Sequence, residues 1–181
     1  TAAMSLPPPR GYRRLSLHAD GREAREALLA TVDSARVRLD VCTFILGRDA
    51  FGDEFLARLA QRARAGVEVR LLVDGMGTWM GGRKHFEAAQ AAGVQVTQFV
   101  PPLRSPLRWP LRGRTNLRNH RKLVVADEQR LWSGGRNLAG EYFEGGAQRE
   151  AWIDLSFELE GDVAGEAAAV FAADWAFARS P

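Results

Sequence analysis

A layered α/β/α sandwich around a mixed, mostly parallel sheet is the fold class the sequence predicts. Three observations carry it. Short apolar runs of strand character alternate with stretches of helical period. Glycines sit where those helices should close, at Gly66 and Gly93. The chain has 181 residues, enough for one domain with a substantial core.

The elements follow in order. "RRLSLHAD" reads as a strand, and "GREAREALLATVDSA" as a helix with Ala24, Leu28 and Val32 on one stripe. "VRLDVCTFIL" is a β-rich run, and "DAFGDEFLARLAQRARAG" is a helix ending at Gly66. "VEVRLLVDG" is a buried strand, "GRKHFEAAQAAG" a short helix and "VQVTQFV" a strand. A Pro/Arg loop over 101–118 leads into strands "HRKLVVA" and "RLWSG". "AWIDLSFELEG" has period 2 and predicts a strand with Ile153, Leu155, Phe157 and Leu159 on one face and Asp154 on the other. "VAGEAAAVFAADWAFA" is a final helix. Residues 1–10, "TAAMSLPPPR", read as a linker or terminal remnant, with the domain over 11–181 and a longer parent chain expected.

Composition excludes several classes. The one cysteine, Cys42, allows no disulfide framework or Cys-rich metal site. No apolar run reaches the roughly 18 residues of a membrane span, and the N-terminus lacks the regions of a signal peptide. The net charge of +3 conceals an asymmetry. From Pro101 to Lys122 there are seven cations (Arg104, Arg108, Arg112, Arg114, Arg118, Arg121, Lys122) and no acid. The rest of the chain, at +3 less +7, is net −4. Such a block points to an anionic partner.

The basic block runs into "NHRKLVVADEQRLWSGGRN". On a regular strand His120 and Lys122 share a face about 6 to 7 Å apart, and Asp127 points away from them. Gly134 and Gly135 allow close backbone approach to a ligand. Asn137 adds a neutral donor and Asp154 is placed to accept from a ring N–H of His120. Imidazole, ammonium, amide and bare backbone make a phosphate pocket, and imidazole is a competent nucleophile toward phosphorus. Each residue alone is ordinary: Gly-Gly is commonly a turn, and Asp154 alone reads as a solvated strand residue. The joint spacing is what selects the chemistry.

That spacing resembles the HKD motif of the phospholipase D superfamily: H-x-K, four residues, D, six residues, G-[GS]-x-N, met by His120, Lys122, Asp127, Gly134, Gly135 and Asn137. Many members have Ser where this chain has Gly135. The Gly-Gly form, "GVEVRLLVDGMGTW", the "NHRK" lead-in and the helix ending in "DWAF" are similar to the N-terminal half of bacterial cardiolipin synthases. The resemblance implies one half of a two-lobed fold and a reaction through a phosphohistidine, with no metal and no cofactor. It implies His120 as nucleophile or acid/base, Lys122, Gly135 and Asn137 on phosphate, Asp154 orienting the histidine, and Asp127 and Gly134 structural. It also implies a second HKD half, since this chain holds one motif, supplied by a longer chain or by a homodimer. The expected substrate is an anionic phospholipid, met through Arg104, Arg108, Trp109, Arg112 and Arg114 at the cytoplasmic face of a bacterial membrane, as a peripheral protein. Nucleic acid cleavage by a homodimer and an inactive isolated half-domain are the alternatives.

Overall fold

The computed structural model describes residues 11–76, 83–99, 117–144 and 150–180. The strands are β1 (Arg14–His18), β2 (Arg38–Thr43), β3 (Glu68–Asp74), β4 (Gln95–Phe99), β5 (Leu123–Ala126), β6 (Arg130–Gly134) and β7 (Ser156–Glu160). The helices are α1 (Gly21–Ser34), α2 (Ala50–Arg64), α3 (Glu87–Ala91) and α4 (Ala164–Arg179). All seven strands form one sheet in the order β1-β7-β6-β5-β2-β3-β4.

Capping explains the helix bounds. Asp20 accepts from Glu23 N–H at 3.0 Å to start α1, and Asp49 from Gly52 N–H at 2.8 Å to start α2. Gly66 (φ +89°) and Gly93 (φ +104°) end α2 and α3. At each, the glycine N–H and the next residue's N–H reach back to helix carbonyls, Gly66 to Ala63 and Val67 to Arg62, Gly93 to Gln90 and Val94 to Ala89.

The sheet is mixed, as predicted, but it is not mostly parallel. Among the described strands β2–β3 and β3–β4 are parallel, and β2–β5, β5–β6, β6–β7 and β1–β7 are antiparallel. Helices α2 and α3 return the chain for parallel pairing up to β4. After the loop the chain folds as hairpins. Three predicted elements are shorter than expected. The helix over 82–93 is a 3₁₀ turn, Arg83–Phe86, followed by α3. The strand "HRKLVVA" begins at Leu123 and "AWIDLSFELEG" at Ser156, so Ile153 and Leu155 are exposed instead of lining an apolar face. For the two strands the reason is that their neighbours in the sheet end first. Beyond Thr43 the chain leaves β5, with Thr43 Oγ donating to the Ile45 carbonyl two residues on and Leu46 pairing with Leu138. Likewise β6 ends at Gly134, whose φ is +152° and where a Cβ would run into the Leu155 carbonyl.

Strand alternation divides the core. Leu39, Val41, Leu71, Val124 and the fully buried Trp132 pack under α1 and α2. Cys42, Leu72, Leu123, Val125 and Leu131 pack under Phe171 and Trp175 of α4. On that second face Asp40 and Arg70 form a bidentate pair at 2.7 and 2.8 Å, with the guanidinium over Phe171. The consequence for function is positional: β2, β3 and β6 finish, and β5 and β7 start, at the same end of the sheet.

Candidate active site

His120 and Lys122 lie just before β5, at that end. Lys122 Nζ is 3.1 Å from each ring nitrogen of His120 and donates to the His120 carbonyl at 3.0 Å. The Lys122 side chain is buried, 4% exposed, while His120 is exposed. Phe44, from the turn after β2, stacks at a tilt on the imidazole, centroids 4.8 Å apart, and lies 5.8 Å from Lys122 Nζ. Burial pushes the Lys122 ammonium below the ordinary lysine range, and the negative charge of Asp154 pulls the other way. An imidazole offers a cation at most one lone pair, so among the described residues this ammonium has one ring nitrogen and one carbonyl as acceptors and is placed for an anion.

Asn137 reaches the site through the segment after β6. Leu138 N–H donates to the Ile45 carbonyl and Gly47 N–H to the Leu138 carbonyl, which ties that segment to the turn carrying Phe44. Asn137 is buried, and its Oδ1 accepts from Ile45 N–H at 3.3 Å. The carbonyl end of the amide is thereby committed, and the amino end is left to donate.

Gly135 and Asp154 meet. A Cβ on residue 135 would lie 2.6 Å from Asp154 Oδ2 and 2.7 Å from its Cγ, so glycine is what lets this carboxylate in. A serine there would displace it. The Gly135 N–H is given to the Leu155 carbonyl at 3.2 Å, so its part in the structure is to make room rather than to donate. Asp154 accepts from Leu155 N–H at 2.6 Å. Among the described contacts the polar partner of the His120 ring is Lys122; Asp154 acts on the site through its charge on Lys122.

Asp127 is at the far end of β5 and serves another purpose. Its carboxylate accepts from the N–H groups of Arg36, Val37 and Arg38, each at 2.8 Å, and fastens the entry to β2. Burial opposes its ionisation, but those three donors outweigh it and hold the carboxyl below its ordinary value. Asp127 and Glu128 have φ of +52° and +56°, the signs that a tight hairpin turn of the mirror-image type requires. Residues 100–116, with Arg104, Arg108, Trp109, Arg112 and Arg114, lie outside the described residues.

Sequence reasoning missed four residues here. Phe44 gave no signal beyond being apolar. Arg136, inside "GGRN", is 1% exposed and donates to the carbonyls of His18, Ala19 and Tyr142 and to Ser156 Oγ, a structural clamp under the glycine turn. Asn119 and Asp174 stood in "NHRK" and "DWAF" without an assigned role. Among the described residues no group of three or more His, Cys, Asp and Glu could hold a metal, and no helix is long and apolar enough to cross a membrane.

Three comparisons bear on this geometry. The family model described as cardiolipin synthase, PLD-like domain, matches residues 28–175. The major cardiolipin synthase ClsA of Bacillus subtilis is 33% identical over 156 residues, 86% of this chain and 32% of its own length. Cardiolipin synthase A of Pseudomonas putida is 32% identical over 165 residues, 91% of this chain and 34% of its own. The chain therefore spans about a third of the curated relatives it matches. Among solved structures, NucT from Helicobacter pylori superposes with a TM-score of 0.65 at 14% identity, covering 90% of this chain and 96% of that one. Nuc from Salmonella typhimurium, described as a phospholipase D family member, gives 0.63 at 15%, covering 92% and 97%. The same fold thus occurs as a chain of about this length and the same sequence type within chains three times as long.

Proposed function

The chain belongs to the family of cardiolipin synthase, phospholipase D-like domains, and on that premise we propose that it cleaves or transfers a phosphodiester through His120. A ring nitrogen of His120 attacks phosphorus, the bond from phosphorus to the leaving alcohol oxygen breaks, and a phosphohistidine forms. Lys122 and the Asn137 amino group hold the non-bridging oxygens. Asp154 stabilises the cationic side of the site. The departing alkoxide takes a proton from an acid, and the second imidazole of a second HKD half is the group suited to give it. Water or an alcohol then attacks the phosphohistidine and restores the ring. The observation that carries this reading is the buried Lys122 ammonium held 3.1 Å from both nitrogens of an exposed imidazole.

The substrate we favour is an anionic phospholipid, with the alcohol acceptor a second lipid. The relatives named as cardiolipin synthases support it. So does the interleaving of Leu103, Leu107, Trp109 and Leu111 with arginines ahead of the site, since apolar anchors suit a headgroup interface. Such a protein works peripherally on the cytoplasmic face of a bacterial membrane, as part of a longer chain. The competing substrate is nucleic acid, which the same arginines would also bind. Dye-labelled anionic vesicles and single-stranded DNA, offered in parallel, separate the two. Lipid turnover without DNA cleavage supports the proposal, and the reverse overturns it. Vesicle co-sedimentation across a salt series tests the loop: parent binding should keep a salt-resistant part that Leu107→Ser/Trp109→Ser loses. Equal binding of both at high salt would remove the interfacial role.

A further inference from the structure

His120 sits on backbone that belongs to no strand: residues 117–122 precede β5. Something other than a sheet ladder must fix it, and Asn119, 1% exposed, stands at the centre of what does. Its N–H donates to Asp74 Oδ2 at 2.9 Å, its Oδ1 accepts from Arg121 N–H at 3.1 Å, and its Nδ2 donates to Asp174 Oδ2 at 2.8 Å. Asp74 is fully buried at the end of β3, and Asp174 projects from α4. The arginines on either side of His120 are drawn to the same two carboxylates: Arg118 Nη1 lies 3.7 Å from Asp74 Oδ1, and Arg121 Nη1 2.8 Å from Asp174 Oδ2. Both guanidinium groups are thus tied to those carboxylates, and among the described residues Lys122 is the cation at the imidazole.

We propose that Asn119 is a positioning residue: with Asp74 and Asp174 it sets the backbone at His120, and so the line along which the imidazole meets phosphorus. This rests on the phosphodiester reading of the site. An exposed ring held by Phe44 and Lys122 alone inherits any error in its backbone, and misplacement by about 1 Å costs about a hundredfold in rate. Three segments remote in sequence, β3, the residues before β5, and α4, are joined at the one position next to the imidazole.

The test exchanges donor and acceptor. Asn119→Asp removes the Nδ2 donor and sets two carboxylates against each other. Adding Asp174→Asn lets the carboxylate at position 119 accept from the amide at position 174, while it still accepts from Arg121 N–H. Two readouts are taken: kcat and KM on a phosphodiester, and the long-range proton–nitrogen spectrum of the His120 ring. In Asn119→Asp we expect kcat to fall about a hundredfold with KM within about threefold, and the ring signals to move. The double variant should recover both. Should Asn119→Asp not fold, Asp174→Ala alone, which removes the acceptor of the Asn119 Nδ2 donor, carries the measurement, with a fall of about tenfold and shifted ring signals. Unchanged ring signals in the folded single variants overturn the proposal, as does a double variant that melts like the parent yet stays as defective as Asn119→Asp. A parent assembled with its second HKD half, as full chain or homodimer, that turns over no diester would sink the functional reading instead, and the ring spectra would still decide the positioning.

Discussion

The two ends of β5 carry the ionisable residues of one sequence motif and are built in opposite ways. At one end Asp127 has its charge answered by three backbone N–H groups at 2.8 Å. At the other, roughly 16 Å along the chain, the Lys122 ammonium is buried against an imidazole and one carbonyl. A buried charge left short of partners raises the free energy of the folded state and is retained where a ligand will complete it. A satisfied one is architecture. Motif membership alone does not separate these roles; the count of partners does.

The largest expected effect is at the open end. His120→Ala should lower diester turnover by at least about a thousandfold and leave the melting temperature within a degree or so, because the ring is exposed. Turnover near the parent's level would remove His120 from the chemistry. Lys122→Met should cost about a hundredfold in turnover, comparable to loss of one oxyanion donor. It should also raise the melting temperature by about 2–4 °C, since an under-partnered buried charge is replaced by an apolar chain of similar volume. A variant that both melts lower and turns over normally would show that the ammonium is structural, and the two ends of β5 alike.

A paired substitution sharpens the contrast. Asp127→Asn loses acceptors for the Arg36–Arg38 backbone and should destabilise by about 1–3 kcal/mol, with turnover nearly unchanged below the melting range. Asp154→Asn leaves melting alone, removes the charge beside Lys122, and should lower turnover about tenfold or more. Kinetics and melts of both variants decide it: equal kinetic defects with equal melting would reject the division.

Much of this was legible in sequence because it depends on local pattern. Strand parity already turned Asp127 away from His120, and the glycine spacing located the turn that admits Asp154. Helix caps at Gly66 and Gly93 were readable for the same reason. What was not legible depends on which strands become neighbours. Periodicity cannot say that β5, β6 and β7 pair as antiparallel hairpins, so the sheet was expected to be mostly parallel. Nor can it show where a ladder stops: β5 begins at Leu123 because β2 turns away after Thr43. Asn119 and Asp174 are 55 residues apart and acquire meaning only when α4 packs over β5. Residues 100–116 carry the basic expectation and lie outside the described structure.

The smallest effect is in the pH dependence of stability, where the two ends act in separate windows. The folded pKa of Asp127 lies below its unfolded value. In the interval between them the unfolded chain holds more protons, so stability rises with pH there and is lost as pH falls through the folded value. The melting gap between parent and Asp127→Asn should be full above about pH 5 and shrink below about pH 4. Lys122 is also lowered, from the ordinary lysine value of 10.5. Its cost is present while it is charged in both states, and it is relieved as pH rises through the folded value toward the unfolded one. The advantage of Lys122→Met over the parent should therefore be constant near neutrality and fade on the alkaline side by about 1–3 °C. Melts of the three proteins across the pH range, read as differences, check both signs. A Lys122→Met advantage that grows with rising pH would mean the ammonium is stabilised by its surroundings, and the asymmetry between the two ends of β5 would be gone.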